Sequence, residues 1–164
     1  NSFDTIISFQ VIEHIKDDEL FISEIKRILR PGGMALITTP NIKMTLTRNP
    51  WHIREYTSKQ LRDLCEKYFS SVEVNGISGN EKVIKYYNQN LDSVQRFKKL
   101  DVFNLEKRLP NFIYKIPYEI LNRMNRNNLK KNDGKLVSSI TYKDYELVKD
   151  SPTNLDLFLV LRKN

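Results

Sequence analysis

Apolar and polar positions alternate between strand-like runs and helix-like stripes along the first half of the chain. Phe3-Asp4-Thr5-Ile6-Ile7-Ser8-Phe9 is β-prone almost throughout. Such a run fits a strand buried on both faces, as in a parallel α/β sheet. It passes into Gln10-Val11-Ile12-Glu13-His14-Ile15, which turns polar at Glu13 and His14. Leu20, Phe21, Ile25, Ile28 and Leu29 then predict the buried stripe of a helix capped by Asp17 or Asp18. Its acidic residues lie toward the start, and Lys26, Arg27 and Arg30 toward the end, the order a helix dipole favours. Pro31-Gly32-Gly33 is read as the stop that turns the chain.

Residues 34–39 form a second buried strand, ended by Pro40-Asn41 because proline cannot donate to a ladder. Strand, helix and strand in this length make one right-handed crossover. After a loop over residues 42–56, Thr57-Ser58-Lys59-Gln60 has the form of a capping box. Leu61, Leu64, Cys65 and Tyr68 follow at i, i+3, i+4, i+7, one face of a helix. A third strand centres on Val72 and Val74, and a last one on residues 155–161.

Residues 81–150 break this alternation. Val83, Tyr86, Tyr87, Asn90, Leu91, Val94 and Phe97 suit an amphipathic helix. A short helix is expected after Pro110 and Pro117, through residues 118–124. Residues 125–134 read as a polar, mobile turn region and residues 136–142 as a weak strand.

The chain has 164 residues, 40% of them apolar, enough for one core. It has no apolar run long enough to span a membrane and no secretory leader pattern at its start, so a cytoplasmic protein is expected. The lone Cys65 excludes an internal disulfide and a multi-cysteine metal site. The net charge of +7 is concentrated: residues 81–150 hold 15 Lys/Arg against 9 Asp/Glu, a net +6. That segment suits an anionic partner or a solvated helical surface. The chain begins at Asn1, two residues before a core-strand pattern, which reads as a start inside a fold.

Phe3-Asp4-Thr5-Ile6-Ile7-Ser8, Ile12-Glu13-His14-Ile15 and Leu29-Arg30-Pro31-Gly32-Gly33, in this order and spacing, closely resemble the class I S-adenosylmethionine-dependent methyltransferases of the ubiquinone-biosynthesis-like, type 11 group. Residues 49–57 resemble that group's loop before its next helix. The resemblance implies a Rossmann-like α/β fold. The strands named above become its fourth to seventh, with the last antiparallel and slotted between the fifth and sixth. Residues 1–80 would be the C-terminal part of the core, 81–150 a mainly helical substrate cap, and 151–164 the final strand. The family's Gly-rich loop and ribose-binding acid have no counterpart here, because Gly32-Gly33 follows a helix rather than a strand.

The same resemblance implies that Phe9, Gln10 and Val11 lie beneath the methionine portion of S-adenosylmethionine. Glu13 and His14 are the catalytic candidates, with His52. A histidine at a strand's exit can take the proton of an attacking hydroxyl, whereas the plainer reading has this pair merely capping the next helix. Trp51, Arg54 and Tyr56, in a loop over the cleft, are candidate substrate-binding residues; equally, Trp51 and Tyr56 can pack the loop down. Gln10 stands where the related O-methyltransferases carry a magnesium-holding acid, which argues against a metal. Expected partners are a small-molecule, glycan or lipid-precursor substrate. Nucleic acid is disfavoured. Self-association is expected if the first strand is a bare apolar edge. The alternative function is a non-catalytic half-methyltransferase, kept as a binding module or subunit for its basic segment.

Overall fold

The structure, a computed structural model, describes residues 2–100 and 109–164. The strands are β1 (Phe3–Phe9), β2 (Leu29–Pro40), β3 (Ser71–Gly79), β4 (Tyr145–Lys149) and β5 (Asp156–Arg162); the helices are α1 (Asp18–Ile28), α2 (Ser58–Glu66), α3 (Glu81–Leu100) and α4 (Asn111–Ser139). The strands form one sheet in the order β1-β2-β5-β3-β4. β1 and β2 are parallel, with Ile6 opposite Ala35 and Phe9 opposite Thr38. β5 runs antiparallel to both β2 and β3 and lies between them. The last core strand is therefore inserted between its two predecessors, as expected from the sequence.

The residues divide into two compact units. One comprises residues 1–45, 53–78 and 147–164, the other residues 46–52 and 79–146. In the first unit the core lies on one face of the sheet. Ala35 and Ile37 of β2 and Leu157, Leu159 and Leu161 of β5 cluster with Ile22 and Ile25 of α1 and Leu61, Leu64 and Cys65 of α2. Burial also pushes the Cys65 thiol up to about 12. α1 is capped by the Asp17 carboxylate, which accepts from the Leu20 N–H, and α2 by the expected box between Thr57 and Gln60.

Three expectations for this unit need correction. β1 is not buried on both faces: it is an edge strand, and Phe3, Ile7 and Phe9 face outward with Ile7 61% exposed. Only the alternate positions, Ile6 and Ser8, turn inward. Leu20 is exposed, and Ile22 takes the place in the core. α1 ends at Ile28, before Pro31-Gly32-Gly33, which lies inside β2 as a register shift between its pairings with Phe3 and Thr5. Gly32 has φ 78 there, a conformation that glycine adopts without steric cost.

The second unit is helical. α4 runs from Asn111 through Ser139 with a kink at Asp133, so residues 125–132 are helix rather than a mobile turn, and residues 136–139 are helix rather than strand. The strand in this region comes later, as β4, after a 3-10 turn at Tyr142–Asp144. The turn chemistry of Asn132-Asp133-Gly134 survives as a break: Asp133 leaves the helical conformation (φ −148, ψ 57). Its carboxylate accepts from the Leu136 N–H and so caps the turn that resumes. Gln89 and Lys85 of α3 reach the same carboxylate, and Asn125 of α4 donates to Asn90 of α3. The side chain of Phe97, placed by the sequence on the stripe of the first of these helices, lies outside the described residues.

Asp144 closes this unit. Its carboxylate accepts from the backbone N–H and hydroxyl of Thr141, from the Asn80 amide at 2.7 Å and from Lys82 at 3.0 Å. The Thr141 N–H, then Lys82 and Asn80, hold its carboxyl well below the usual carboxylate range. A depressed folded-state pKa contributes stability above the unfolded value, near 3.8, that fades as pH falls toward the folded one. The urea midpoint of Asp144→Asn is therefore expected to lie below that of wild type at neutral pH and to converge on it below pH 4. A gap unchanged in acid would rule out the carboxylate as its origin.

Candidate functional site

β1 and β2 both end at the same edge of the sheet, and an open α/β sheet presents its ligand sites at the carboxyl ends of its parallel strands. Beyond Phe9 the chain stays tied to β2 for one more residue, through Gln10 N–H to the Thr38 carbonyl at 3.0 Å. Gln10 then takes a left-handed conformation, φ 55, rare for a residue with a side chain and a frequent companion of functional turns. Phe9, Gln10 and Val11 are exposed. A 3-10 turn at Ile12–His14 follows.

That turn buries Glu13 and leaves His14 partly open. Glu13 is 1% exposed, and its carboxylate accepts from the Thr39 hydroxyl at 2.9 Å. Its carbonyl accepts from the Ile53 N–H at 2.8 Å and the Arg54 N–H at 3.4 Å. Glu13 thus fastens the end of β2 and the start of the 53–57 segment to the turn. The His14 side chain is 43% exposed, with Nε2 3.9 Å from the Glu13 carboxylate. Of the pair, His14 is the one open to a solvent-borne group.

Asp156, the first residue of β5, belongs to this end of the sheet. It lies opposite Pro40 on one side and Ile77 on the other. Burial raises its carboxyl above the usual range, with the Glu13 charge adding to the rise and a hydrogen bond from the Gln10 side chain opposing it. The sequence reading passed over this residue. The signal was a lone carboxylate at the mouth of an otherwise apolar run.

The loop candidates separate. Arg54 Nη1 is 2.5 Å from Asp18 Oδ2, and its Nη2 reaches the Lys16 carbonyl. The Tyr56 hydroxyl donates to the same Asp18 oxygen at 2.8 Å, and burial is the chief cause that raises its pKa. Both therefore pin the loop to the first turn of α1. Trp51 and His52 belong to the second unit. There Lys115 Nζ lies 3.7 Å from the centre of the Trp51 ring, and Asn49 Nδ2 is 2.8 Å from His52 Nε2. Arg48 in the same loop donates to the Leu109 carbonyl at 2.8 Å.

A parallel pair followed by a strand inserted antiparallel, with helices covering the core face, is the arrangement that the sequence resemblance implies for the fourth to seventh strands of a class I methyltransferase sheet. Residues 1–37 match a family model described as a methyltransferase domain. A probable S-adenosylmethionine-dependent methyltransferase of Mycolicibacterium smegmatis is 42% identical over 78 residues, 44% of this chain and 30% of that protein. A ubiquinone biosynthesis O-methyltransferase of Brucella ovis is 26% identical over 112 residues, 61% of this chain and 44% of that protein. Among solved structures, a phosphoethanolamine N-methyltransferase 2 of Haemonchus contortus in complex with S-adenosyl-L-methionine is similar at 19% identity and a TM-score of 0.47, covering 99% of this chain and 34% of that one. The chain spans less than half the length of these relatives.

Holding S-adenosylmethionine requires a backbone cradle where a ligand can approach without meeting side chains. The five glycines do not make one. Gly32 and Gly33 lie at the opposite, amino end of β2. A Cβ on Gly76 would meet the Asn154 side chain at 1.7 Å, and one on Gly79 would meet Val83 at 2.3 Å. Gly134 lies within α4. The glycines therefore form no open cradle at the carboxyl ends of β1 and β2.

Proposed function

We propose that this chain is the acceptor-side half of a methyltransferase that transfers a methyl group to an O or N atom of a small molecule, glycan or lipid precursor. The observation that carries the reading is the strand order, with an exposed histidine next to a buried, anchored glutamate at the carboxyl ends of β1 and β2. His14 takes the proton leaving the acceptor atom. Glu13 positions it, together with the Ile12–His14 turn. Phe9, Gln10 and Val11 form the near wall of the cofactor cleft. Arg54 and Tyr56 hold the 53–57 segment against Asp18. No metal is assigned, since Gln10 offers only a neutral amide where a hard cation wants a carboxylate. Outward-facing Phe3, Ile7 and Phe9 on an unpaired edge support a further layer of the same sheet packing there, supplied by more of the polypeptide or by a second chain. Among the described residues no helix is long and apolar enough to cross a membrane. Cytoplasmic location is part of the proposal.

Calorimetry with S-adenosylmethionine tests this directly. The 164-residue chain should give no saturable heat. A chain that also carries about 80–120 residues of the upstream coding sequence, given typical domain size, should bind one equivalent. Tight binding by the 164 residues alone would show that the cleft is complete without a second wall. Absence of binding by the longer chain would favour the binding-module reading.

A further inference from the structure

We propose that the outward face of α4 docks on an anionic lipid surface. Ile113, Ile116, Ile120 and Met124 recur at steps of three, four and four residues, which places them in one line along the helix. All four are exposed: 45%, 69%, 55% and 48%. The helix buries a different side, through Asn125 and Leu129. Over about three turns, from Ile113 to Met124, the helix thus turns an aliphatic line outward. A contiguous aliphatic stripe of this kind marks an interaction surface.

The charge around the stripe selects its partner. Over residues 111–139 the sequence has six Lys/Arg against two Asp/Glu. At about 100° per residue, Arg123 falls about 60° to one side of the Ile120 line, and Lys131 continues the line past Met124. Of the two acids, Asp133 is engaged by Lys85, and exposed Glu119 stands one turn before Arg123 on the same border, leaving the cations in excess. Aliphatic residues bordered by cations match the acyl boundary and headgroups of an anionic leaflet. Single-stranded nucleic acid would call for stacking aromatics, and the four residues of the stripe are all aliphatic or thioether. This inference concerns the second unit alone and is independent of the methyl-transfer reading.

The test is co-sedimentation of the full chain with vesicles of phosphatidylcholine containing about 30% phosphatidylglycerol, against pure phosphatidylcholine. Binding to the anionic vesicles is expected, at least tenfold weaker to the neutral ones and at least tenfold weaker when salt rises from about 50 to 300 mM. Ile116→Glu/Ile120→Glu should abolish it, and Arg123→Gln/Arg126→Gln should weaken it several-fold. All four positions are exposed, and unchanged Trp51 emission would report an intact second unit. The charge variant remains informative if the isoleucine variant misfolds. The proposal is overturned if wild type ignores anionic vesicles. Full binding by the folded isoleucine variant would also overturn it, as would preference for an oligonucleotide over vesicles at equal salt.

Discussion

Gly76→Ala is expected to lower the stability of the sheet by about 3 kcal/mol, read as a shift of the urea midpoint at unchanged slope. Gly76 lies in β3 opposite Leu157 of β5, one pair from the end of their antiparallel ladder. An added Cβ would come within 1.7 Å of Asn154 Nδ2, 2.2 Å of Cγ and 2.6 Å of Cβ. The obstruction reaches back to the root of the side chain, so a rotamer change does not relieve it. Nor is Asn154 free to leave: it is 3% exposed, and its amide donates to the Lys149 carbonyl at 2.9 Å. The Asn154 carbonyl accepts from Asn41 at 2.8 Å, which ties the same turn to the end of β2. Coupling between the two sites follows. Asn154→Gly should cost clearly less in the Gly76→Ala background than in wild type, and strict additivity would show that the clash is not the cause.

Asp18→Ala should cost about 3 kcal/mol, and Tyr56→Phe about 1 kcal/mol. The difference arises because removing the carboxylate leaves the Tyr56 hydroxyl, in a residue 4% exposed, without its acceptor. Removing the hydroxyl leaves Asp18 with Arg54. Arg54 adds little to either figure, since 42% of its side chain is exposed and solvent screens the pair. The double variant Asp18→Ala/Tyr56→Phe should accordingly be less costly than the sum of the two, by denaturation at neutral pH. Equal costs for the single variants would mean that the loop is held by the backbone bonds from Ile53 and Arg54 to Glu13 instead.

Much of the first unit was legible because its signals are local. The capping box of α2 needs only Thr57 and Gln60, and its core face only the spacing of Leu61, Leu64 and Cys65. The alternation of strand and helix gave the elements, and the family resemblance of residues 3–33 implied the insertion of β5. What could not be read depends on partners distant along the chain. Arg54 and Tyr56 looked like cleft residues, and nothing near them showed that Asp18, 36 and 38 residues earlier, would take both. Asp156 drew its importance from Gln10 and Glu13, which tertiary structure alone brings close. The length of α4 was missed for a related reason. Its second half is polar and rich in turn-forming residues, and it is held by Asn90, Gln89 and Lys85 of α3 rather than by an apolar stripe. The place of β1 at a bare apolar edge was anticipated; what its central-strand composition hid is that Phe3, Ile7 and Phe9 face outward.

The enclosed sulfur of Cys65 gives the molecule an internal clock. It is the sole thiol, fully covered by the packing of α2, and at ordinary pH it carries almost no thiolate. An alkylating reagent therefore finds it only when the helix lifts away from β2 and β5. The rate of its modification measures how often this half of the protein opens, and fraying of the margin at β1 or rearrangement of the long helices leaves that rate unaltered.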